Sequence, residues 1–354
     1  MAAPFIVALL ALSPVSQAGP PAEETGAPPA LLAAAAPEDG ADVAEAPFAG
    51  STLSLRNVFS ATSLARGHEP TYNPYDVLAL SVRPTLQLAE GYRVSAALEL
   101  ASELTQADWT RDRFYLSDTT VTFSASELAK LPVLEVGVAA ALALTLPTSP
   151  ASRNESLLLG AELAAELSRH VALLGGLEVA YDLGLAKSLH RYTTSGDVAV
   201  LQGACSLGLD ARCATSTIGS GERNVSWAVS NGLSAALAAT DWLTASAAAQ
   251  LVYARLYPLF ALSPAARERL SGGVVDPVSA RYYTLTQLGV TLFPGELLSG
   301  SLAISSLHHQ LAADGTRRAP FINRFTRISL ALTLDLEQGL GLVAPPQAAQ
   351  GLTP

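Results

Sequence analysis

From Ser51 to Leu336 the chain alternates apolar and polar residues. Leu78, Leu80, Val82, Leu86 and Leu88 are interleaved with Ala79, Ser81, Arg83, Thr85 and Gln87. A period of two puts every second side chain on one face of an extended strand, so each run carries one apolar and one polar face. Glu90-Gly91 forms a tight turn, and Tyr92, Val94, Ala96, Leu98 and Leu100 then alternate with Arg93, Ser95, Ala97 and Glu99. Two such runs around a Gly-containing turn make a hairpin.

The pattern continues to the end. Leu157, Leu159, Ala161, Leu163, Ala165 and Leu167 oppose Glu162 and Glu166, and Val171, Leu173, Leu177, Val179, Tyr181 and Leu183 oppose Glu178 and Asp182. Strands are predicted near 51–63, 77–89, 92–103, 114–125, 133–146, 156–167, 171–186, 225–239, 242–255, 281–293, 298–308 and 321–337. A helix competes over the Ala-rich 156–186 and 225–254, where Glu162 and Glu166 would lie one turn apart. Gly175-Gly176 and Asn231-Gly232 weaken it, and alternation fits better.

Composition decides where such strands can live. The chain is 49% hydrophobic and only 15% charged, with a mean hydropathy of +0.31. Disorder needs low hydrophobicity, and a disulfide scaffold needs far more than 2 Cys in 354 residues. A net charge of −10 argues against a nucleic-acid partner. Beyond the first few dozen residues no stretch offers the roughly 18 uninterrupted apolar residues of a spanning helix. High apolar content without a helical span leaves a closed barrel of strands, because only closure satisfies every backbone group in lipid.

The connections alternate too. Those at 64–76, 104–113, 147–155, 187–224, 256–280 and 309–320 are long, and those at 90–91, 126–132, 168–170, 240–241 and 294–297 are short. Together these features resemble bacterial outer-membrane β-barrels. The resemblance covers 51–337 at the level of architecture. It implies an all-β fold: a transmembrane antiparallel up-and-down β-barrel of about 12 strands, with short periplasmic turns and long extracellular loops. It also implies outer-membrane lipids and the barrel-assembly machinery as partners. Aromatics near strand ends suit interfacial girdles: Tyr92, Phe123, Trp242 and Phe293 on the turn side, and Phe59, Tyr115, Tyr181, Trp227 and Tyr253 on the loop side. One departure is the tail 338–354 after the last strand, where such barrels commonly end on an aromatic. A weaker likeness is Leu144-Thr145-Leu146-Pro147-Thr148-Ser149, similar to a strand-end pattern of an outer-membrane family linked to phenol-degradation transport.

Residues 1–18, MAAPFIVALLALSPVSQA, read as a secretory signal peptide. Phe5 to Leu12 is the apolar core, and Ser16 and Ala18 are small residues before a cleavage point. The usual basic residue is missing, since the first Lys or Arg is Arg56. Residues 19–50, rich in Ala, Pro and acids, read as a disordered periplasmic leader. Cys205 and Cys213, close together in the longest loop of an exported chain, are expected to form a disulfide.

The lumen is the first place to look for function. Arg56, Arg83, Arg93, Arg255, Arg281 and Arg327 are expected to line one wall. Glu99, Asp118, Glu135, Glu162, Glu166, Glu178 and Asp182 are expected to line the other. Opposed walls of opposite sign sort solutes by charge and dipole. Small residues such as Ser230, Ser234, Ala236, Thr244, Ser246 and Ala248 leave room for water. The expected function is passive passage of small hydrophilic solutes. A sealed barrel acting through its loops is the alternative. A lipid hydrolase using Ser306 and His308, two apart on an outward face near Asn323, is a weaker one. Outer-membrane phospholipases, which these residues resemble, carry the pair in the opposite order. Of the five histidines, His68, His170, His190, His308 and His309, none has metal spacing. No cofactor motif is present. The Ala-rich outward face Ala235, Ala245, Ala247 and Ala249 suits a contact between protomers.

Overall fold

The computed structural model describes residues 48–61, 76–104, 114–133, 135–198, 217–258, 279–293, 297–310, 317–323 and 325–337. The expected signal peptide over 1–18, nearly all of the expected leader over 19–50, the tail 338–354, Arg324 and the pair Cys205 and Cys213 lie outside them.

Twelve antiparallel staves close into a barrel. In chain order they begin with β1 (Thr52–Ser60), then β2 (Asp76–Arg83) with β3 (Thr85–Ala89), and β4 (Tyr92–Glu103). Next come β5 (Phe114–Leu116) with β6 (Thr119–Leu131), β7 (Val136–Leu146), β8 (Leu157–Val171) and β9 (Leu177–His190). Two short strands, β10 (Thr194–Val198) and β11 (Thr217–Arg223), pair only with each other in the longest connection. The wall resumes with β12 (Val225–Thr240), β13 (Leu243–Leu256), β14 (Ala280–Leu292), β15 (Leu298–His309) and β16 (Thr326–Asp335). Closure is the β1–β16 ladder, running from Thr52 opposite Asp335 to Ser60 opposite Arg327. It leaves no free sheet edge, which is what a bilayer demands of strands.

Two staves are interrupted for local reasons. Pro84 separates β2 from β3 because it has no N–H to give the ladder, yet its carbonyl still accepts from Ala96 N at 3.0 Å. Ser117 and Asp118 separate β5 from β6, and Ser117 Oγ takes the Glu99 N–H at 3.0 Å. The turn end is tight. At Gly91, φ is +71°, a conformation glycine reaches without steric cost.

Leu80, Leu142, Leu163, Leu183, Leu233, Leu251, Leu288, Leu302 and Leu330 all point outward and are exposed. An apolar belt all the way round is far beyond the patch a water-soluble monomer tolerates and is the surface a bilayer covers. Inward positions hold small, polar and charged residues, among them Ser230, Ser234, Thr244 and Glu166. The thin outward strip Ala235, Ala245, Ala247 and Ala249 lies on β12 and β13 as expected.

Two aromatics sit differently from expectation. Tyr115 turns inward and packs with Val58, Val77, Ala79 and Ala101, because it pairs with inward Ala101. Tyr181 faces outward but lies only a few residues from the turn-end start of β9.

The loop end is tied down by a short helix, α1 (Pro150–Asn154), capped by Ser149. Asn224 is 1% exposed and donates through Nδ2 to the carbonyls of Glu155, at 2.8 Å, and Tyr192, at 2.9 Å.

Candidate functional site

In an up-and-down barrel each stave neighbours the next in sequence, so ring position follows from chain order. Counting from β1 through β2–β3, β4, β5–β6, β7 and β8 reaches β9 after six steps, and the path through β16, β15, β14, β13 and β12 also takes six. β1 and β9 are therefore diametrically opposed, and so are β16 and β8.

The two charged walls are centred on these opposed staves and extend to their neighbours. Arg327 on β16, Arg56 on β1, Arg83 on β2 and Arg93 on β4 face inward. Arg281 faces inward on β14, opposite Ala254. Across the lumen, β8 presents Glu162 and Glu166, and β9 presents Glu178 and Asp182.

The basic arc contains acids of its own: Glu99 and Glu103 on β4 share the inward parity of Arg93, and Asp335 on β16 shares that of Arg327. Glu99 on β4 accepts from Arg56 Nη2 at 2.6 Å, with the side chains 12% and 19% exposed. Glu99 therefore belongs to the arginine side of the lumen and neutralises part of it.

The acidic arc is more concentrated. Glu166 and Asp182 are direct cross-strand partners, as are His170 and Glu178 nearer the turn end. Glu166 Oε1 and Asp182 Oδ2 are buried and have no hydrogen-bond partner among the described residues. Gly232 stands beside Asp182 on β12, and Gln250 stands beside Gly232 on β13. Gln250 is a larger polar residue among the small inward ones expected on β13. Its inward parity, shared with Thr244 and Ser246, was the available signal. Gly184 supplies space: a Cβ there would strike Ser230 Oγ and come within 3.3 Å of Glu162 Oε1.

Three expected wall residues are placed elsewhere. Arg255 faces outward, opposite outward Trp227, because the alternation of β13 from Thr244 to Ala254 runs unbroken and leaves Arg255 on the other parity. An outward arginine costs about 2–4 kcal/mol at the bilayer midplane but about 0–1 kcal/mol near the interface, and Arg255 stands at the loop end of its strand. Asp118 lies between β5 and β6, where its carboxylate accepts from Ser149 N at 2.8 Å and from the Ser152 hydroxyl, fixing the start of α1. Glu135 is exposed in the turn before β7, with φ +52°, because β6 runs on to Leu131 and moves the turn along.

Ser306 and His308 face outward on β15, as their parity requires, but they are not on an open rim. Their exposures are 1% and 2%. The segment 317–323 folds back over them. Asn323 Nδ2 donates to Ser306 Oγ at 2.8 Å and to Ala319 O at 2.7 Å. Thr326 donates to Phe321 O at 2.9 Å, and outward Thr286 donates to Pro320 O. His308 Nδ1 is turned to the carbonyl of His309 at 2.9 Å, while its Nε2 is buried without a hydrogen-bond partner among the described residues. A serine nucleophile needs a base on its hydroxyl; Ser306 has an amide donor there instead. Among the described residues no group of three or more His, Cys, Asp or Glu is arranged to hold a metal.

No protein-family model matches the chain, and neither does any curated protein. Solved structures similar to it are outer-membrane β-barrels, porins and channels among them. The COG4313 outer membrane channel from Pseudomonas putida F1 is 12% identical, with 83% of this chain and 99% of that chain covered and a TM-score of 0.48. The NanC porin is 9% identical, with 80% and 100% covered and a TM-score of 0.44. LpxR from Salmonella typhimurium is 11% identical, with 80% and 99% covered and a TM-score of 0.38.

Proposed function

We propose that this protein is an outer-membrane β-barrel acting as a passive channel for small hydrophilic solutes, with its loop end facing outside. The observation that carries this is the opposition of Arg327 on β16 to Glu162 and Glu166 on β8, and of Arg56 on β1 to Asp182 on β9, across a closed ring. Charges paired within one arc, as Arg56 and Glu99 are, cancel in part locally. Charges on opposed staves set up a transverse field that orders water and favours small dipolar or charged solutes over apolar ones. Inward residues on β12 such as Ser230, Ser234 and Ala236 are small and keep side-chain bulk low on the flank beside the acidic wall.

The test is single-channel conductance of the refolded chain in a planar bilayer. Stable, ion-selective steps are expected, and Glu162→Gln with Glu166→Gln should lower cation preference. A folded, heat-modifiable but silent barrel would overturn the channel and leave a sealed barrel acting through its loops.

A further inference from the structure

Arg255, placed outside the lumen, stands in a row with another outward cation. Lys187 on β9 pairs with Trp227 on β12, and Trp227 pairs with Arg255 on β13. All three face outward at the loop end. Neighbouring strands lie roughly 5 Å apart, so the two cations stand about 10 Å from each other with the indole between them. Below this row is a chain of aromatic contacts: Trp227 to Tyr253 at 5.4 Å and Tyr253 to Tyr282 at 5.2 Å between ring centroids. Tyr282 is 56% exposed. Val229, Leu233 and Leu251 continue toward the middle of the belt.

This order, from apolar through aromatic to cationic, is the depth profile of a bilayer interface, with the cations at headgroup level. The two cations are held differently. Lys187 Nζ donates to Ser226 Oγ at 2.8 Å and sits 5.0 Å from the Tyr257 ring centroid. Arg255 is exposed and has no ion pair with a described carboxylate. No Asp or Glu faces outward on β9, β12, β13 or β14, since Glu178 and Asp182 both point to the lumen. The chain as a whole carries −10, so general attraction cannot bring an anionic surface to it. A local patch can.

We propose that Lys187, Trp227 and Arg255 form a binding site on the outer surface for a phosphate-bearing lipid headgroup. The guanidinium forks two phosphate oxygens, the ammonium supplies a second point charge, and the aromatic row packs on the first methylenes of the acyl chains. The site depends on the barrel spanning a membrane and is independent of whether the lumen conducts.

The test uses the refolded full chain in neutral detergent, with lipid retention read by native mass spectrometry. The probes are bisphosphorylated lipid A, the same lipid after phosphatase treatment, and inorganic phosphate alone. Wild type should retain the phosphorylated lipid at least about tenfold better than the dephosphorylated one. Lys187→Gln with Arg255→Gln should abolish that preference, while Arg169→Gln, an outward arginine at the turn end, should keep it. Equal retention of both lipids, an undiminished preference in the double variant, or equally tight binding of inorganic phosphate would each overturn the proposal. Heat-modifiability confirms that each variant is folded, and conductance of the double variant should match wild type. A silent wild-type barrel that still prefers the phosphorylated lipid would refute the channel and uphold this site.

Discussion

Glu166 and Asp182 stand directly opposite each other on β8 and β9, both facing the lumen and only 2% and 8% exposed. Like charges placed directly across a strand pair destabilise it, by up to about 1 kcal/mol. A fold selected for stability alone would not keep them. Glu166→Gln is expected to raise the barrel's resistance to urea by up to about 1 kcal/mol while reducing cation preference in reversal-potential measurements. A variant that loses stability would show that the carboxylate pair has a compensating partner and is structural.

The opposite behaviour is expected on the far side. Glu99 neutralises Arg56 at 2.6 Å with both side chains mostly shielded from water. Glu99→Gln leaves the guanidinium without its counter-charge and should cost about 1–3 kcal/mol, between the exposed and buried limits for an ion pair. It should also make the channel more anion-preferring, because the basic arc loses one of its internal acids. A double-mutant cycle with Arg56→Gln checks that the loss comes from the pair.

Gly184 gives a steric test of the lumen. A side chain there meets Ser230 Oγ and the Glu162 carboxylate, so Gly184→Val should cut conductance severely and Gly184→Ala less. Ser230→Ala removes the first obstacle and should restore part of the conductance to Gly184→Ala. Identical conductance in all three variants would place the narrowest point of the pathway elsewhere.

Much of this architecture is legible in the sequence because its signals are local. Alternation fixes the two faces of each strand, and in a barrel of consecutive staves chain order is ring order, so the opposition of β1 and β9 follows from the sequence once the strands are counted. The misplaced residues lie where local rules stop. Arg255 is the exception, because its parity against Thr244 already puts it outside. Asp118 falls in a break within a stave, where a helix cap claims its carboxylate. Glu135 follows a strand that outran its alternating pattern. The covering of Ser306 and His308 left no sequence signal, because a loop folded back over a barrel has no period.

That covering yields the last prediction. Thr286, Ser306, His308 and Thr326 are outward polar side chains, each no more than 3% exposed, on a face that otherwise meets lipid. Leaving such groups bare in hydrocarbon is costly, and the segment 317–323 supplies hydrogen-bond partners and cover. Asn323 is its anchor: Nδ2 serves Ser306 and Ala319, and Oδ1 accepts from Phe325 N at 2.8 Å. Asn323→Ala should destabilise the strap by about 2–4 kcal/mol, from the loss of three hydrogen bonds at about 1 kcal/mol each. Faster amide exchange over 317–323 and faster tryptic cleavage at Arg317 and Arg318 should follow, with the rest of the barrel unchanged. If the pair beneath were instead a latent hydrolase, the same variant would release lipid hydrolysis that Ser306→Ala abolishes. With Ser306 bonded to an amide and His308 turned to a carbonyl, the expected outcome is a loosened strap and no hydrolysis in either variant.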